Sequence, residues 1–199
     1  MNDAALQPLD WPDGEFAYAA QAWSASEAEA LFAALRDEIA WTHHRVRLFG
    51  RLLDAPRLSA WHGDPEARYR YSGTTYTPLP WTPVLDTARD RVQRLSGRGF
   101  NAVLANRYRD GNDAMGWHAD AEPELGPLPT IASASFGSPR RFVLRHRASG
   151  RREEILLAPG SLLLMAGRSQ QCWQHALPRT RVAVGERINL TFRCIMAPG

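Results

Sequence analysis

The chain has 199 residues, 44% hydrophobic and 23% charged, with a formal net charge of +3 and a pI near 9.2. That length and mixture suit one domain with a sizeable core and exclude an intrinsically disordered polymer. No stretch approaches the ~18 unbroken apolar residues of a membrane-spanning helix, and two cysteines without a CxxC pair, Cys172 and Cys194, exclude a disulfide framework.

Every one of the 24 basic residues is arginine, which reads as coding bias; the mild positive balance favours approach to polyanions without requiring it. The first residues, Met1-Asn2-Asp3-Ala4-Ala5, carry neither the basic nor the apolar region of an export signal, so an intracellular, cytoplasmic protein is expected.

Ser24-Ala25-Ser26-Glu27 offers a capping box, and Ala28, Leu31, Phe32, Leu35 and Ile39 follow at helical spacing, which predicts a helix from about Ser26 to Ala40. A second helix is predicted from about Thr82 to Leu95, entered through the proline-studded segment before Pro83 and closed near Gly97. An arginine- and aromatic-rich stretch separates them. Beyond Phe100 come short runs bounded by turn residues: 102–108, 131–136, 142–147, 154–157, 161–166 and 187–195. These read as strands. Helices followed by many short strands predict an α+β fold, an antiparallel sandwich or jelly roll backed by helices on one side.

The last strand alternates completely. Ile188, Leu190 and Phe192 share one face, while Arg187, Asn189, Thr191 and Arg193 share the other. A solvated sheet face is one reading of that polar set. If the face turns inward, its two guanidiniums make a cradle for a small diacid. Parity also gives Asn106 and Tyr108 a common face.

Of six histidines, His118 stands out. In extended backbone the i, i+2 pair of His118 and Asp120 points to one side, and His175, beyond several strands, can complete a set of two histidines and one carboxylate. That is the facial triad of non-haem Fe(II) oxygenases. A hydrolytic zinc site uses the same donors, but it has no evident need of a dicarboxylate cradle.

Several motifs occur together and in order: Tyr71-Ser72-Gly73, Pro80 to Leu85, Asn106 to Gly111, His118-Ala119-Asp120, Ile131-Ala132-Ser133, Pro159 to Leu163, and Arg187 to Arg193. In this the chain resembles the AlkB family of nucleic-acid dealkylases, and most its members directed at double-stranded DNA. The resemblance implies a double-stranded β-helix backed by N-terminal helices. It divides residues 1–199 into an N-terminal arm and helix (1–45), a nucleotide-recognition lid (46–80) and a catalytic jelly roll (100–195). It implies Fe(II) on His118, Asp120 and His175, with 2-oxoglutarate held by Asn106, Tyr108, Arg187, Asn189 and Arg193, to which Thr191 is added by its shared face. The implied reaction uses O2 to convert 2-oxoglutarate to succinate and CO2 while hydroxylating an N-alkyl carbon, with formaldehyde released from 1-methyladenine or 3-methylcytosine in DNA or RNA.

On the substrate side the resemblance places Tyr69 and Tyr71 beside the flipped base, Tyr71 opposite His118. Glu122 shares the face of His118 and Asp120 if that strand stays extended, and in the family an acid here approaches the base; a solvated loop acid is the alternative. Phe49 resembles a wedge that fills the gap left by the extruded base, or else is an ordinary core residue. Arg57, with Arg45, Arg47, Arg51, Arg151 and Arg152, is a candidate phosphate contact or a solvated surface residue. An acid that follows the HxD in double-strand-directed members is Ala121 here. Rival readings are an oxygenase of proteins or small metabolites, and a damage-binding module without turnover. A monomer is expected.

Overall fold

The computed structural model describes residues 5–48, 51–71 and 74–196. The N-terminal half runs β1 (Gln7–Leu9), β2 (Glu15–Ala19), α1 (Ala25–Glu38), β3 (Thr42–Leu48), β4 (Arg51–Gly63), β5 (Tyr69–Tyr71), β6 (Thr74–Tyr76) and α2 (Pro83–Ser96). There follow β7 (Ala102–Tyr108), β8 (Met115–His118), β9 (Ile131–Gly137), β10 (Arg140–His146), β11 (Arg152–Leu157) and β12 (Ser161–Ala166). A single turn α3 (Ser169–Cys172) leads into β13 (Trp173–Leu177), and β14 (Arg187–Arg193) closes the sheet.

Both long helices begin where their caps dictate. Glu27 N–H donates to Ser24 Oγ, and the Glu27 carboxylate accepts from Ser24 N, so two otherwise orphaned donors are satisfied reciprocally. The helix ends earlier than expected because Ile39 turns extended (φ −80, ψ 131). Thr82 caps α2, Pro83 occupies its first turn, and Gly97 ends it in the left-handed region at φ 65, where a side chain would be strained.

The strands form an eight-stranded sheet in the order β1-β2-β12-β9-β14-β7-β4-β3 and a four-stranded sheet in the order β11-β10-β13-β8, with β5 and β6 as a separate hairpin. All pairings between these strands are antiparallel. Such sheets fit a jelly roll. The arginine- and aromatic-rich stretch supplies β3 to β6. Half of the expected lid belongs to the large sheet, since Leu58 to Gly63 pair with β7. The N-terminal arm also contributes, because β2 extends the sheet beyond β12.

Two cores flank the large sheet. On one face α1 and α2 pack Leu35, Leu85, Ala88 and Val92 against Ala134, Phe136, Leu190 and Phe192. On the other, Ile131, Leu163 and Met165 meet Phe142, Leu144 and Trp173 of the smaller sheet. Each fully buried Leu, Val or Phe contributes about 1.5–3 kcal/mol over exposure. The apolar face of β14 is thereby committed to the helices. Its polar face can only look between the sheets.

Candidate active site

β13 and β8 run antiparallel with His175 directly opposite His118, and Asp120 follows two residues past the end of β8. One ligand atom from each of the three lies within 4.8 Å of the others. The Gly116 carbonyl oxygen sits 2.8 Å from His118 Nδ1; a carbonyl only accepts, so Nδ1 is assigned as the donor, and Nε2 is the nitrogen turned toward His175. That Nε2 lies 3.1 Å from Nε2 of His175.

His175 is buried, and burial first, then the neighbouring His118, push its basicity down to about 3, so the ring is neutral at physiological pH. Burial alone would raise the carboxyl of Asp120, but Arg193, His175 and His118 outweigh it and hold the group ionised. Two imidazoles and one carboxylate thus converge, the donor set of a metal site. Cis nitrogen ligands on a metal at about 2.1 Å stand about 3 Å apart, close to the His–His separation here. The donor set fits a divalent cation.

The inward face of β14 forms the adjoining wall. Arg187, Asn189, Thr191 and Arg193 all line the pocket that contains the triad, as do Asn106 and Tyr108 of the neighbouring β7. They are bonded to one another: Arg187 donates to Ser135 Oγ (2.9 Å) and Asn189 Oδ1 (2.6 Å), and Asn189 Nδ2 donates to Thr191 Oγ1 (2.8 Å). Ser133 donates to the same Asn189 Oδ1 at 3.0 Å. Arg193 donates to Asp120 at 2.6 Å and so joins the wall to the metal centre.

Arg187 is 1% exposed and forms no ion pair with an acidic side chain among the described residues, and its Nε has no hydrogen-bond partner there. Burial pushes its basicity down to about 10, against the opposing effect of Tyr108, so it still carries its charge at neutral pH. A buried cation without an anion is costly. A dicarboxylate supplies the missing acceptor, and 2-oxoglutarate fits the chemistry of these donors.

A model of the 2OG-Fe(II) oxygenase superfamily matches residues 15–193. DNA oxidative demethylase ALKBH2 of Mus musculus is 42% identical over 182 residues, covering 86% of this chain and 76% of that protein. The chain belongs to the AlkB family.

Alpha-ketoglutarate-dependent dioxygenase alkB homolog 3 of Homo sapiens is 37% identical over 179 residues, covering 85% of this chain and 62% of that protein. The solved structure of OsALKBH1 superposes with a TM-score of 0.64 at 15% identity, over 95% of this chain and 99% of that one, which speaks for a shared fold. AlkB membership makes this protein a dioxygenase whose cofactors are Fe(II), 2-oxoglutarate and O2.

Not every expected AlkB residue sits where the sequence put it. Arg57 is no surface phosphate contact: it is 7% exposed, and its Nε donates to Asn106 Oδ1 at 2.8 Å, so it braces the polar wall of the pocket. Glu122 lies four residues past the end of β8, with its backbone still extended at φ −66, ψ 144. Glu122 precedes the Pro123–Leu125 turn and lines a neighbouring groove with Pro123 and Gln171. Phe49 lies outside the described residues. Tyr69 and Tyr71 are the backbone ends of β5, and their side chains lie outside the described part. Arg151 is exposed and pairs with Glu153.

Four residues that the sequence reading did not assign to the site complete it. Ser133 and Ser135 hold the wall as above. Gln170 Oε1 accepts from Asp120 N at 2.9 Å, and Arg140 approaches Tyr108 from behind. Parity along β9 exposes the two serines to the interior. Gln170 and Arg140 owe their places to contacts remote in sequence.

Proposed function

We propose that this protein removes N-alkyl groups from bases in DNA, 1-methyladenine and 3-methylcytosine being the substrates of choice. The observation that carries the reading is one pocket holding both a convergent His118–Asp120–His175 set and a buried two-arginine wall, in a chain 42% identical to a DNA oxidative demethylase. In this reading the two sheets form a double-stranded β-helix, with α1 and α2 backing the larger one.

His118, Asp120 and His175 would hold Fe(II); Arg187, Arg193, Asn106, Tyr108, Asn189 and Thr191 would hold 2-oxoglutarate. Bound together with dioxygen, these groups supply an oxidant for a C–H bond and turn 2-oxoglutarate into succinate and CO2. The protein's own part is positional. Arg187, itself buried, would neutralise one carboxylate away from bulk solvent, where the interaction is strong. Arg193 bridges from the cosubstrate side to Asp120 and keeps that carboxylate ionised for metal.

A base stacked in a duplex cannot reach a pocket between two sheets and must be extruded. Both proposed lesions are cationic at neutral pH, so they are attracted to carboxylate and to aromatic faces. Glu122, just beyond the metal-binding segment, and the tyrosines of β5 are the groups of that chemistry we assign to the base.

Mass spectrometry of methylated oligonucleotides tests this directly. With Fe(II), 2-oxoglutarate and ascorbate, the methyl mass should be lost with wild type and retained with His118→Ala. Succinate formed without any repair would redirect the reading to a different substrate; neither product from iron-loaded protein would refute it.

A further inference from the structure

Arg140 opens β10 and is 3% exposed, yet among the described residues no acidic side chain bonds to it. Its guanidinium donates instead to three main-chain carbonyls: Asp110 at 2.9 Å, Asp113 at 3.1 Å and Pro178 at 2.8 Å. Those carbonyls belong to the segments leaving Tyr108 and Leu177. The same two segments are already tied by Thr180 N–H donating to Gly111 O at 2.9 Å. Fastening the loops therefore does not by itself call for a charged group here.

The charge has a definite neighbour. The Arg140 guanidinium lies 6.0 Å from the centre of the Tyr108 ring, and that of Arg187 lies 5.3 Å from the same ring. Two buried cations therefore share one aromatic ring at the wall of the pocket. The Asp110 and Asp113 carboxylates favour the charge of Arg140 from the loop side, but neither bonds to it: Asp113 accepts from Arg109, at 2.8 and 2.9 Å, and Asp110 from Asn112. Like charges buried together disfavour each other, and burial disfavours each alone. Such a pair is tolerable where an anion arrives to face both.

We propose that Arg140 is a specificity-determining residue of the cosubstrate pocket. It is a second cation behind Arg187, and its field favours a 2-oxo acid with a distal carboxylate over one that ends in a methyl group. The proposal rests on reading the Arg187 wall as the 2-oxoglutarate site. Arg140 acts through space and through Tyr108, without touching the reacting atoms.

The test compares two ligands that differ only at the far end: 2-oxoglutarate and 2-oxopentanoate, which has the same chain length and no distal carboxylate. Each is titrated anaerobically into Fe(II)-loaded protein and followed by the visible charge-transfer absorption of the chelate. Arg140→Gln should bind 2-oxoglutarate about tenfold more weakly and 2-oxopentanoate within about twofold of wild type. Arg140→Lys, which keeps the charge, should keep most of the preference. Equal weakening of both ligands in Arg140→Gln would mean a merely structural role, and unchanged 2-oxoglutarate binding would mean none; either overturns the proposal. If the glutamine variant does not fold, the lysine variant decides, because its loss of the preference is equally fatal. Arg187→Gln separates the two levels. Should it bind 2-oxoglutarate like wild type, the cosubstrate reading itself falls; should it bind weakly while Arg140→Gln does not, only the role of Arg140 falls.

Discussion

The Nε2 atoms of His118 and His175 face each other at 3.1 Å across the mouth of the pocket. The contact brings two ring nitrogens, each able to ligate, within reach of one ion beside the Asp120 carboxylate. Divalent metal should therefore stabilise the protein markedly. At a metal concentration 100 times Kd the gain is about 2.7 kcal/mol. In a calorimetric scan wild type should melt several degrees higher with Mn(II), while His118→Ala should melt at the same temperature with and without it. Because His175 gains its proton only near pH 3, that ring should not limit metal binding anywhere above about pH 4.

Arg193 and Asp120 form a buried pair, each side chain 5% exposed, at 2.6 Å. Removing one partner of such a pair strands the other charge at a cost of about 3–5 kcal/mol. Arg193→Met should accordingly lower the unfolding free energy of metal-free protein by that order. Added Mn(II) should recover part of the loss, since the cation then faces Asp120. The metal-induced stabilisation in urea titrations is expected to be larger in Arg193→Met than in wild type; a smaller one would mean that Arg193 holds the fold rather than the carboxylate.

The fate of β14 shows how far sequence carries. Its alternation separates Ile188, Leu190 and Phe192 from Arg187, Asn189, Thr191 and Arg193 without ambiguity, because strand period is a local property. Whether the polar face meets water or a pocket depends on which face the helices cover, and that is settled by packing against Phe136 and Leu85. Parity says less once strand pairing ends. β8 stops at His118, and Pro123, which has no N–H to give a ladder, opens a turn just after Glu122. Three-residue β1 and five-residue β2 carry too little pattern to read, and become strands only through β12. Arg57 looks like any surface arginine until Asn106, 49 residues on, is brought beside it.

Asp113 anchors the loop after β7. It is buried, and it accepts from the backbone N–H of Arg109 and from both arms of the Arg109 guanidinium. Burial raises its carboxyl, yet these bonds outweigh that effect and leave it below its ordinary value of 3.8. A folded-state value depressed below the unfolded one stabilises the protein above the unfolded value, and the contribution is lost as pH falls through the folded value. Asp113→Asn should thus cost about 1.5–3 kcal/mol at pH 7. The gap between variant and wild type in urea unfolding should shrink below pH 4. A gap independent of pH would assign the loss to packing instead of charge.

Gln170 links the two halves of the triad. It sits in the single turn α3 that leads into His175, is 1% exposed, and its Oε1 accepts from the backbone N–H of Asp120 at 2.9 Å. Its amide nitrogen is held in turn by Ser169 Oγ at 3.3 Å and Met165 Sδ at 3.8 Å, so the acceptor cannot swing away. Gln170→Leu keeps the bulk but leaves the Asp120 N–H buried without an acceptor, a penalty of about 1–3 kcal/mol. Loss of support behind metal ligands also typically weakens metal binding by about 10–100-fold. Competition against a coloured chelator measures the second effect separately from the first. A variant that melts lower but holds metal as tightly as wild type would confine Gln170 to stability. Weaker metal retention in a well-folded variant would make it the residue that keeps Asp120 in register with His175, a role made possible only because α3 places it 50 residues along the chain from the carboxylate it steadies.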